Sequence, residues 1–133
     1  MSVVAVMHDA RTAEKLQALF YRTLAALAED VGDAPLAERL NGLHADEQHH
    51  LSRLSARLVE LGEDLEDLST CSPPAARLDG WEDVARTRER AEIARYETLL
   101  AHEMDAETRA MLEEFVAAER SHAAELGGKW MSA

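Results

Sequence analysis

Apolar residues recur at alternating steps of three and four in four separate stretches, the spacing of one face of an α-helix. The first stretch reads Ala10, Glu14, Gln17, Tyr21, Leu24 and Ala28. The second reads Leu36, Leu40, Leu43, Glu47, His50, Leu54, Leu58 and Leu61. Ala85, Glu89, Glu92, Tyr96, Leu99 and Glu103 make the third, and Leu112, Phe115, Glu119, His122 and Leu126 the fourth. The pattern and its punctuation predict helices over about Thr12–Asp30, Pro35–Leu61, Trp81–Ala101 and Ala106–Leu126. Gly32-Asp33-Ala34-Pro35 stops the first, and proline is tolerated in the first turn of the second. Gly62 caps the second, a short break falls around Met104-Asp105, and Gly127-Gly128 closes the fourth.

Short links after the first and third helices imply two antiparallel hairpins. An acidic, proline-containing connector, Glu63 to Asp79, joins them. The expected fold class is therefore all-α: one domain, a four-helix bundle of two antiparallel hairpins joined by one long crossover. Abundant Ala, Leu, Glu and Arg agree with that, since all are good helix formers.

Each stripe is interrupted by polar residues at a similar depth, and such groups are costly to bury without a partner. Glu47-Gln48-His49-His50 and Glu119-Arg120-Ser121-His122 are both Glu-x-x-His. One turn apart on a helix, the two side chains share a face and can reach one ion. The motif count is weak by itself, because this composition yields about 0.8 such pairs by chance. The register is stronger. Glu14 lies seven residues before Tyr21, and Glu89 seven before Tyr96. Glu14 and Glu47 stand about equally far from the turn at Gly32, and Glu89 and Glu119 about equally far from the break near Met104. Antiparallel hairpins put each pair at one level. Two docked hairpins would gather four Glu and two His, the arrangement of a di-metal carboxylate centre.

Fourteen Lys and Arg against 26 Asp and Glu leave a net charge of −12. That balance argues against nucleic acid and against an anionic membrane surface as partners. The one cysteine, Cys71, rules out an intramolecular disulfide and a Cys₄ iron or zinc site within these residues, and suggests a reducing compartment, the cytoplasm. The short apolar run from Met1 to Met7 has no basic leader and ends at Asp9. It reads as neither a signal peptide nor a membrane span.

The Glu-x₆-Tyr and Glu-x-x-His pairs, repeated over two hairpins from Ala13 to Leu126, resemble rubrerythrin, within the ferritin-like superfamily. The third helix carries Glu89-Arg90-Ala91-Glu92, two carboxylates one turn apart, where the first helix has Glu14 and Gln17. Rubrerythrins are similar in having one extra glutamate on the third helix. The resemblance implies a ferritin-like bundle holding two iron ions on Glu14, Glu47, His50, Glu89, Glu92, Glu119 and His122. It also implies an exchange of one iron between Glu92 and His50 with redox state. The implied activity is reduction of hydrogen peroxide or dioxygen, a defence against oxidative stress. Rubrerythrins often carry a four-cysteine rubredoxin domain. With Cys71 alone these residues cannot form one, so a separate electron-donor protein or a small reductant is expected. A homodimer is expected too, since bundles of this class often pair, sometimes by exchanging a hairpin across the connector.

On charge, five core carboxylates carry about −5 and two ferrous ions +4. Oxygen and nitrogen donors suit iron or manganese; two iron ions are expected, with manganese or a mixed pair as the alternative. Tyr21 and Tyr96 are candidates to hydrogen-bond the ligand carboxylates and so to take part in the reaction; as plain core aromatics they would need only a backbone partner. His44, His49 and His102 are expected on exposed helix surface. Two other functions remain open: a ferroxidase that oxidises and passes on iron, and a metal-free helical interaction module. Trp130 and Met131 would cover a bundle end or a partner surface, and Cys71 is assigned no role.

Overall fold

A computed structural model describes residues 2–126. It contains four helices, α1 (Val3–Asp30), α2 (Ala34–Glu60), α3 (Trp81–Leu100) and α4 (Ala106–Glu125), and no strand among the described residues. Gly127-Gly128, Trp130 and Met131 lie outside that range. None of the helices is long and apolar enough to cross a membrane. Helix α1 begins nine residues before the expected Thr12. The reason is local: the Ser2 hydroxyl accepts the Ala5 amide at 3.2 Å, an N-terminal cap for a run that holds no helix breaker.

The chain clusters into two compact units, residues 7–81 and residues 82–126 with the first turn of α1. The first contains an antiparallel hairpin of α1 and α2. Gly32 turns the chain with φ 76°, a conformation glycine adopts without a Cβ penalty. The Asp33 amide donates back to the Ala28 carbonyl at 2.9 Å, and the Asp33 carboxylate accepts the Leu36 amide to start α2. Rungs set the register. Arg22 donates to the Asn41 side chain at 3.2 Å, and Arg11 to the Ser55 hydroxyl at 2.8 Å. His44 bonds the Ala18 carbonyl at 2.8 Å through Nδ1, and a carbonyl can only accept, so Nδ1 carries the proton. His44, expected on exposed surface, is therefore half-buried and ties the hairpin together. Leu61, expected on the buried stripe, is 38% exposed, because α2 ends at Glu60.

The connector belongs to this unit and runs its length. At the open end, His8 pairs with Glu63 at 2.9 Å and Arg11 donates to the Glu66 carbonyl at 2.9 Å. The Ser69 amide and hydroxyl then hold the Asp67 carboxyl below its usual range. Leu68 is buried. At the turn end, buried Trp81 lies under the Arg39 guanidinium, 5.2 Å from the ring centroid. From Arg39 to Glu60, α2 rises about 32 Å, well within reach of a connector extending about 3.3 Å per residue. The connector thus starts at one end of the hairpin, and Trp81 follows it at the other.

The second unit is an antiparallel hairpin of α3 and α4. Its rungs are Arg86 to the Leu126 carbonyl at 3.5 Å, the Glu97–Arg120 ion pair, and the tilted packing of Tyr96 on Phe115 with ring centroids 5.7 Å apart. Arg109 donates to the carbonyls of Leu100 and His102 and ties down the link. Because α3 stops at Leu100, Glu103 leaves the expected stripe and is exposed. Asp105 caps α4, accepting the Thr108 amide at 2.9 Å and hydroxyl at 2.7 Å. Asp105→Ala should cost about 1 kcal/mol, read as a lower urea midpoint with an unchanged slope.

Candidate metal centre

In the first hairpin, the rungs Arg11–Ser55 and Ala18–His44 bracket Glu14 and His50. Bracketing brings Glu14 Oε2 to 3.5 Å from His50 Nδ1, while Glu47, one turn before His50, places Oε2 at 4.0 Å from the same nitrogen. Glu14 and Glu47 are fully buried, and His50 is 4% exposed. Each of the three offers a donor atom, and these atoms lie within 4.8 Å of one another.

The second hairpin repeats the construction. Arg86–Leu126 on one side and Tyr96–Phe115 on the other bracket Glu89 and His122, whose Oε1 and Nδ1 are 3.6 Å apart. Glu119 stands one turn before His122 on α4. Glu89, Glu119 and His122 are buried, and their donor atoms also lie within 4.8 Å of one another. Two donors on opposite sides of an ion at about 2.1 Å are about 4.2 Å apart, so small side-chain rotations would let each triad close on a cation. Buried Glu/His groups here can hold metal. Oxygen and nitrogen donors without sulfur suit iron, manganese and similar ions.

The seventh expected ligand is placed differently. Glu92 is buried, 5% exposed, but Arg95 Nη1 donates to its Oε1 at 2.7 Å, and Glu92 is not among the side chains that meet the 4.8 Å spacing. Its counterpart on α1 is Gln17, buried and neutral. The apolar stripe does not mark Arg95, although Glu92-x-x-Arg95 is a recognisable one-turn ion-pair spacing. Tyr21 and Tyr96 are fully buried. His49 and His102 are exposed, and Cys71 is half-buried and free. No protein-family model matches the chain, and no curated protein matches it.

Proposed function

We propose that this chain is a non-haem di-iron protein of the rubrerythrin type. In this reading its two hairpins pack as a ferritin-like four-helix bundle, and it reduces hydrogen peroxide or dioxygen in a reducing compartment. The observation that carries the reading is the repeated triad. Each hairpin separately buries two carboxylates and an imidazole with donor atoms within 4.8 Å. Buried carboxylates cost several kcal/mol each unless countercharge offsets them, and a divalent cation on each triad supplies it. A connector that spans the first hairpin from end to end supports the crossover topology.

Glu14, Glu47 and His50 would hold one ion, and Glu89, Glu119 and His122 the other. Bound as a pair, ferrous iron would supply the two electrons that, with two protons, convert hydrogen peroxide to two waters. Tyr21 and Tyr96, each two turns from a ligand glutamate, would orient the carboxylates by hydrogen bonds. Electrons would come from a separate protein or a small reductant. The same donors would serve manganese or a mixed pair. A ferroxidase is the second reading, favoured by a net charge of −12 that attracts ferrous ions.

Stopped-flow absorption decides between them. Anaerobic, iron-loaded and reduced protein should become diferric much faster with peroxide than with air-saturated buffer. Equal rates would move the reading to iron oxidation.

A further inference from the structure

We propose that Arg95 is a positioning residue that holds the Glu92 carboxylate out of the metal-binding set and neutralises it there. This rests on the reading of the buried triads as metal ligands.

Glu92 lies one turn after Glu89, so the two carboxylates share a face of α3. Glu92 is as buried as the triad residues and would otherwise be a further anionic donor beside them. Arg95, one more turn along, has a side chain 32% exposed that reaches inward to Oε1 at 2.7 Å. That is the short distance of a charge-assisted hydrogen bond. Charge accounts for the arrangement. Glu14, Glu47, Glu89 and Glu119 carry −4, which two divalent ions balance, and the Glu92–Arg95 pair is neutral in itself. On α1 the corresponding position is Gln17, also neutral. The two hairpins therefore present equal charge to their ions by different means, one with an amide and one with a latched ion pair. Only the second keeps a carboxylate in reserve.

Titration of the apo-protein with Co²⁺, followed by its visible d–d absorption, tests this on wild type, Arg95→Met, Glu92→Gln and the double variant. Wild type should take up about two Co²⁺ per chain. Arg95→Met should bind one of the two about tenfold more tightly, because the released Glu92 carboxylate adds an anionic donor, and with an altered d–d spectrum. The double variant should return to near wild type in both affinity and spectrum. Arg95→Met that matches wild type overturns the proposal. So does a change that persists in the double variant, because the effect would then come from the loss of Arg95 itself and not from a released Glu92 carboxylate. A wild type that takes up no Co²⁺ defeats the metal reading itself, a separate outcome. Helicity by circular dichroism identifies any unfolded variant, and Arg95→Gln then replaces Arg95→Met.

Discussion

Glu47→Ala combined with Glu119→Ala is expected to empty the protein of iron, from about two ions per chain to almost none. Each alanine removes the carboxylate of a Glu-x-x-His pair and leaves its triad with one glutamate and one histidine. Two donors hold a divalent ion poorly when the rest of its shell must come from water in a buried setting. Elemental analysis of protein expressed with iron supplies the measurement, and wild type is prepared in parallel. Iron retained by the double variant would place the metal elsewhere. A wild type without metal, whose helicity survives chelators unchanged, would favour the interaction module.

Glutamine at the same two positions is expected to reverse the order of stability between the metal-free and metal-loaded states. Metal-free wild type keeps buried carboxylates in each hairpin without a metal ion to offset their charge, a desolvation cost that a neutral amide of the same shape reduces. Apo Glu47→Gln/Glu119→Gln should therefore be about 1–3 kcal/mol more stable than apo wild type, raising the melting temperature by roughly 3–10 °C. With iron the order inverts. Only wild type is expected to bind the metal in its folded state, and ligand binding raises stability by mass action. Thermal unfolding with and without iron reads both halves. If apo variant and apo wild type melt together, those carboxylates are already neutralised within the chain, and the pressure toward a cation disappears.

Both predictions use residues that helical periodicity alone singles out. A glutamate at a position where every third or fourth neighbour is leucine must be buried if the helix forms at all. Glu14, Glu47, Glu89 and Glu119 are fully buried, as that logic requires, and Glu92, His50 and His122 nearly so. Helix ends were legible where a breaker stood, at Gly32 and at Gly62. The start of α1 was not, because its signal is the single hydroxyl of Ser2, and serine is common in every context. Glu103 is exposed although it continues the stripe, because the helix itself stops at Leu100.

Four helices, their pairing into hairpins and the depth of the six triad residues all follow from spacing along one chain. Tertiary structure decided what the spacing leaves open. His44 turned inward because a carbonyl of the facing helix lay within its reach, and no pattern within α2 encodes that. The connector's route depended on His8, Arg11 and Arg39, residues distant in sequence that become its neighbours only after the hairpin closes. Glu92 could have turned toward Glu89 and its triad or paired with Arg95, and both are one helical turn away. The chosen rotamer is a matter of packing and charge in three dimensions, beyond what a one-dimensional period can specify.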